Sequence, residues 1–372
     1  MPDPAIARRR LAPQRVLTAG QPTRDPLPDP ISVVRWMGAM QAQDYHQAVW
    51  TLGARLPNAR LAAIESALDA GQIIRTYPMR GTIFFVPPDD AAWMIQLTGA
   101  RMIARDARRQ AELGLDAETM TRAERIAGDV LSGGRRLSRP DLLQAFTDGG
   151  IEITGQRAYH ILWFLAHICL ICIAARDAKQ PTYARLDALA PTPRALSGQA
   201  AWHELATRYF RSHSPATAHD FAWWTGATVT EARAALAALG SDVESETIDG
   251  VTYWTYVGAD AASYRDAKTA RGLLLLAGFD EYYLGYKDRT PIIEAAYQTN
   301  VCPGNNGVFY PTILMDGVIV GTWKRTFKRD TVTITASRFP DSPLWEREAL
   351  IAAAQPYADF HGMKLMIADG ES

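Results

Sequence analysis

Three stretches of this chain end alike, in short helices followed by two β-rich runs around a tight turn. In residues 31–86, apolar periodicity predicts helices over 31–40, 48–56 and 61–69, with Asn58 placed to cap the last and Gly71 to end it. Runs at 73–77 and 82–86 then flank Pro78-Met79-Arg80-Gly81. In residues 137–186, Ser138 and Asp141 match a capping box, and Thr154 is placed to cap a helix from Gln156 to about His167. A β-rich run at 170–174 then leads through Lys179-Gln180-Pro181 to Thr182-Tyr183-Ala184. In residues 198–257, a helix over 198–211 precedes one opened by Pro215 and one capped by Thr228. Runs at 243–248 and 251–256 flank Asp249-Gly250, a strong hairpin signal.

Helices closed by a two-stranded wing form the winged-helix pattern, and its irregular spacing excludes a solenoid. Pro22, Pro26, Pro28 and Pro30 make the first thirty residues a linker-like lead-in. From residue 272 the pattern turns β: a strand over 273–279, runs 311–315 and 318–323 about Asp316-Gly317, and a strand over 331–337. A helix over 344–358 and a strand over 364–368 close the chain. The expected fold is α+β, with three tandem winged-helix units and a β-rich C-terminal part. The expected segments are an N-terminal extension (1–30), a first winged helix with connecting helices (31–136), a second (137–196), a third (197–260) and a β-rich C-terminal domain (261–372).

Winged helices place a helix in the DNA major groove and a wing on the backbone, so duplex DNA is the expected partner. The balance of 39 Lys plus Arg against 40 Asp plus Glu does not oppose this, because DNA needs a local basic surface and not a basic total. Residues 151–260 carry 8 basic and 11 acidic groups, so the cations concentrate elsewhere. Arg101, Arg105, Arg108 and Arg109 fall on one side of a helix. Lys324, Arg325, Lys328 and Arg329 interleave with Thr326 and Phe327 after Trp323, which suits phosphate plus base or sugar contact, or else guards an exposed strand.

Three cysteines cannot build a disulfide framework, and a reducing compartment is expected. The N-terminus lacks an apolar signal core, and the longest apolar stretch, 161–175, is too short to span a bilayer. The expectation is a cytoplasmic monomer with no membrane partner. Cys169-Leu170-Ile171-Cys172 is a lone pair of thiols. His160 and His167 make a metal conceivable there, but buried thiols are commoner, so no metal or other cofactor is expected. There is no phosphate-binding loop, dinucleotide fingerprint, HExxH or GxSxG.

The most unusual segment is Gly38-Ala39-Met40-Gln41-Ala42-Gln43-Asp44-Tyr45. Glutamine is no general base, but its amide can orient a water or aim a carbonyl dipole at developing positive charge. It can equally serve as a helix-end hydrogen bonder. Asp280 and Glu281 are adjacent, so on a strand they would point to opposite faces. Pairing with Lys287 or Arg289, or capping a turn, is the role expected of them.

Four segments carry a resemblance: 40–45, Arg75-Thr76-Tyr77-Pro78-Met79-Arg80-Gly81-Thr82, 279–289 (Phe279-Asp280-Glu281-Tyr282 through Tyr286, Lys287 and Arg289), and Pro311-Thr312 through Gly321-Thr322-Trp323. Together they resemble the winged-helix DNA-binding family that contains the AlkZ-type DNA glycosylases. The resemblance spans residues 31–330. It implies a DNA channel and excision of N7-alkylated purines from damaged double-stranded DNA, including unhooking of interstrand crosslinks. It implies Gln41 and Gln43 as the catalytic pair, Arg75 and Arg80 beside the basic clusters as DNA contacts, and Asp280, Glu281, Tyr286, Lys287 and Arg289 as structural signature residues. It departs at Phe84, where many members place a histidine. The alternative is a non-catalytic winged-helix DNA-binding or regulatory protein.

Overall fold

Tight turns set the hairpins. Asp249 and Asp316 adopt φ of 49° and 50°, each followed by a glycine at φ of 78° and 88°. That left-handed pair is what a two-residue hairpin turn requires. Arg80-Gly81 makes a similar turn at φ of 55° and 68°, so the first strand there runs on to Met79. The resulting hairpins pair Ile74–Met79 with Thr82–Val86, Val243–Ile248 with Val251–Tyr256, and Thr312–Met315 with Val318–Lys328.

The computed structural model describes residues 1–17, 26–177, 180–261 and 272–368, a mixed α+β chain. Pro22 and Lys179 lie outside the described residues. Two compact units emerge, Met1–Ile64 with Leu205–Ser372, and Glu65–Glu204.

In the unit Glu65–Glu204, five antiparallel strands lie in the order Thr82–Val86, Ile74–Met79, Ile171–Asp177, Gln180–Arg185, Leu137–Ser138. Two hairpins thus join edge to edge, through Arg75 opposite Ile173. Helices Pro88–Glu112, Ala117–Val130, Arg139–Asp148 and Arg157–His167 belong to the same unit, where Phe84, Phe85, Trp93 and Phe146 are fully buried.

In the other unit, a five-stranded sheet runs in the order Lys364–Ala368, Thr331–Arg338, Val318–Lys328, Thr312–Met315, Leu273–Leu276. Helix Arg347–His361 packs on it: the Tyr357 ring meets Trp323 edge-on, with centroids 4.9 Å apart. Helices Ala218–Thr225 and Val229–Ala237 open on capping boxes, the second at Thr228 with Glu231, where a cap was expected, and the first at Thr217 with Asp220.

Several local expectations need correction. The lead-in is not all linker: Asp3 caps a helix, Pro4–Leu11, whose Ile6, Ala7, Arg10 and Leu11 are buried. Thr154 bonds the Glu152 carboxylate instead of capping its helix. Pro215 precedes its helix, because Thr217 already satisfies the first free amides. The strand at 318 continues through the basic run to Lys328, since its ladder with Thr331–Arg338 is unbroken. Asp280 and Glu281 do not lie on a strand. The strand stops at Leu276, and Asp280 caps a short helix, Glu281–Leu284.

Candidate active site

The glutamine segment sits where helix Pro30–Met37 must stop. Gly38 has φ of 83°, which strains any larger residue, and a Cβ there would lie 3.3 Å from Arg208 Cβ, tight enough that Arg208 would have to give. Ala39, Met40 and Ala42 are fully buried, and Gln41 is 6% exposed. Gln43 emerges to solvent. Asp44 then caps helix Tyr45–Gly53: its Oδ1 accepts from Gln47 N at 3.1 Å and its Oδ2 from Gln47 Nε2 at 3.3 Å. The carboxylate that follows the motif in sequence therefore holds a helix end.

The 278–281 stretch grips this segment from the inside. Gly278 N donates to Gln47 Oε1 at 2.5 Å, and a Cβ on Gly278 would overlap the Phe309 carbonyl oxygen. Asp280 forms a two-pronged pair with Arg55, with both N–H···O distances 2.8 Å, while Asp280 Oδ1 also caps Tyr282 N. Glu281 Oε1 accepts from Gln41 N at 2.6 Å, and its Oε2 accepts from Trp224 Nε1 at 2.9 Å. His213 Nε2 stands 3.6 Å from Oε2, and burial pushes the imidazole pKa below its usual value. Tyr209 stacks on His213 with centroids 4.5 Å apart.

The remaining signature residues differ in burial and partners. Tyr286 is fully buried. Its hydroxyl donates to the His213 carbonyl at 2.9 Å and accepts from Gln14 Nε2 at 3.1 Å, and the Arg10 guanidinium lies 3.7 Å from its ring centre. Lys287 is exposed, and its backbone N–H donates to Asp220. Arg289 Nε bonds the Tyr283 carbonyl at 2.8 Å, and burial lowers the guanidinium pKa. The expected pairing of Asp280 or Glu281 with Lys287 or Arg289 gives way to Arg55, Gln41 and Trp224.

One residue of the basic strand, Arg325, acts on the same groups as residues beside the motif. Lys324, Lys328 and Arg329 are exposed and Arg325 is half-buried. Alternation along the strand puts Trp323, Arg325 and Phe327 on one face and Lys324, Thr326 and Lys328 on the other. Trp323 is buried, its indole N–H on the Leu276 carbonyl, so of the two aromatics only Phe327 is exposed. Arg325 and His46 both act electrostatically on His361, whose pKa falls to about 4 mainly through burial. Arg325 and Asp44 both act on the Tyr357 hydroxyl, which burial pushes well above the usual phenol range. Asp44 and His46, the immediate neighbours of Gln43 and Tyr45, thus lie in the electrostatic reach of the same groups as Arg325.

Within the unit Glu65–Glu204, Arg105 is exposed and Arg101 half-buried on helix Pro88–Glu112. Arg108 and Arg109 both bond Glu112 at 3.0 Å, and Asp106 meets His160 Nδ1 at 2.8 Å. Arg80, half-buried, lies 5.6 Å from the centre of the Phe84 ring. Phe84 itself is fully buried. Arg75 is 8% exposed and close enough to Tyr77 and Tyr183 to act on their hydroxyls, which puts it in the core.

Burial raises the Cys169 thiol to about 11 and Cys172 to about 12, which keeps both as unreactive thiols. Among the described residues, no three His, Cys, Asp or Glu side chains gather to hold a metal, and no helix is long and apolar enough to cross a membrane. Sequence reasoning missed Arg55, Trp224 and His213. The signal for Arg55 was available: an arginine just beyond a helix whose Ala48, Val49, Trp50 and Leu52 are apolar asks for a buried acid.

A family model described as "DNA glycosylase AlkZ-like" matches residues 34–360. No curated protein matches the chain. Among solved structures, the Streptomyces sahachiroi DNA glycosylase AlkZ aligns with a TM-score of 0.80 at 19% identity, covering 99% of this chain and 100% of its own. At that identity the likeness speaks for the fold.

Proposed function

The chain belongs to the AlkZ-like DNA glycosylase family, and from that premise we propose that it hydrolyses the N-glycosidic bond of N7-alkylated purines in damaged double-stranded DNA, or unhooks crosslinks formed through such bases. The observation that carries the reading is the placement of Gln43: exposed, next to a carboxylate already committed to a helix cap, and in electrostatic surroundings shared with Arg325 of the basic strand.

A purine alkylated at N7 is already cationic, so its glycosidic bond is weak and the leaving base needs no proton from the protein. What remains is to place a water near C1′ and to stabilise an oxocarbenium-like sugar. The Gln43 amide can do both, with its carbonyl oxygen toward the cationic sugar or toward the water. Gln41, two residues earlier, supports the same site from the buried side. Both oxygens of the neighbouring Asp44 are engaged by Gln47, so the reading rests on the amides.

We assign the architecture as three winged helices. Two features support this beyond the helix–hairpin order. A short strand ahead of the helix pair bonds the hairpin in the second stretch, Leu137–Ser138 with Tyr183 and Thr182. A single bridge, Ala216 with Trp254, does so in the third. The proposed phosphate contacts are Arg80, Arg101 and Arg105 within the unit Glu65–Glu204, and Lys324, Arg325, Lys328 and Arg329 within the other. The protein acts as a monomer in the cytoplasm, without a cofactor.

The test is incubation of the purified protein with a duplex carrying N7-methylguanine, scored for free base and for binding. Base release supports the proposal. Salt-sensitive binding without release favours a non-catalytic DNA-binding protein.

A further inference from the structure

We infer that Glu281 is a positioning residue for the glutamine motif, acting on base release through the backbone of Gln41. The inference rests on the proposed roles of Gln41 and Gln43.

Glu281 is fully buried and divides its two oxygens between two donors from distant parts of the chain: the Gln41 backbone N–H at 2.6 Å and the Trp224 indole N–H at 2.9 Å. A carboxylate suits this position because both its atoms accept. A glutamine of the same shape offers one acceptor and one donor, so either Gln41 or Trp224 would face an N–H. A buried N–H left in that state pulls away or takes another partner. The adjacent Asp280 acts in parallel. It holds Arg55, which follows the helix that begins just after the motif, so two consecutive acids tie down the segment from Gln41 to Arg55 at both ends. The bond from Gly278 to Gln47 adds a third point between them. Of these ties, only the one to Glu281 ends on a residue of the motif. A shift of the Gln41 backbone carries Gln43 with it, and misplacing a reacting group by about 1 Å costs on the order of 10²-fold in rate.

The experiment uses the full chain with Glu281→Gln and, separately, Trp224→Phe. Three quantities are read: single-turnover release of N7-methylguanine at saturating protein, affinity for the same duplex, and hydrogen exchange at the Gln41 amide. The expected result for Glu281→Gln is a release rate lower by about 10²-fold, affinity within twofold of wild type, and faster exchange at Gln41. Trp224→Phe keeps an aromatic side chain and leaves both carboxylate oxygens in place, removing only the indole N–H donor and part of the indole, and is expected to slow release only a few-fold. A folded Glu281→Gln protein that releases base at the wild-type rate overturns the inference. Should that variant not fold, Trp224→Phe decides: slower release at unchanged affinity supports the inference and an unchanged rate overturns it. Should the wild type release no base, the proposed function fails separately. Exchange at Gln41 then decides whether Glu281 holds the Gln41 backbone, faster exchange in Glu281→Gln supporting it and unchanged exchange overturning it.

Discussion

Arg55 and Asp280 meet through two N–H···O bonds of 2.8 Å, in a site where the arginine side chain is fully buried and the aspartate is 1% exposed. The rest of the Arg55 guanidinium is satisfied as well, by the Thr51 carbonyl, the Gln14 carbonyl and Gln14 Oε1. A charge pair so enclosed is costly to break from one side, because the survivor keeps its charge without its partner. Asp280→Ala or Arg55→Ala is expected to cost about 3–5 kcal/mol of unfolding free energy. The double variant should lose less than the sum of the two. Urea unfolding of the three variants checks this, and additive losses would show that the two residues are not coupled.

The basic strand should act on DNA through charge. Lys324→Ala, Lys328→Ala and Arg329→Ala are each expected to reduce the slope of log affinity against log salt by about 0.9, with little dependence on DNA sequence. Titrations of undamaged duplex at several salt concentrations measure it. An unchanged slope in all three variants would remove this strand from the DNA contact.

His361 predicts an acid-sensitive fold. Burial, with Arg325 and His46 nearby, lowers its pKa to about 4 in the folded chain, against an ordinary 6.5. The folded state therefore binds fewer protons than the unfolded chain between those two values. Stability from this group is complete above about pH 6.5 and is lost as pH falls toward about 4. His167 and His213 are lowered as well and push in the same direction. Urea midpoints measured from pH 7 to pH 4 should decline, and His361→Gln should decline less steeply than wild type. Equal slopes would contradict the assignment.

Legibility in the sequence followed the range of the interactions. Asp249-Gly250 and Asp316-Gly317 read as turns because the left-handed pair is a local requirement, and both occur as read. The Thr228 cap and the strand Lys364–Ala368 were legible for the same reason. Asp280 and Glu281 stood out in the sequence, but their partners did not, since Arg55 lies 225 residues away and Gln41 lies 240. The helix Pro4–Leu11 was hidden by the prolines after it. Its stability comes from tertiary burial, with Tyr282 Oη donating to the Ala7 carbonyl at 2.8 Å. Arg75, expected from the sequence as a DNA contact, lies buried on a strand paired on both sides, a placement that sequence alone does not reveal. At the candidate site, the sequence pointed to the glutamines, and the structure supplied what holds them.

The central claim is that Gln41 and Gln43 carry base release. The most direct measurement is single-turnover release of N7-methylguanine from an alkylated duplex by wild type, Gln41→Ala and Gln43→Ala, with binding to the same duplex measured in parallel. Release by the wild type, and a loss of about 10²–10³-fold in Gln43→Ala with duplex affinity retained, is the predicted result. Release at the wild-type rate by both folded variants would contradict it.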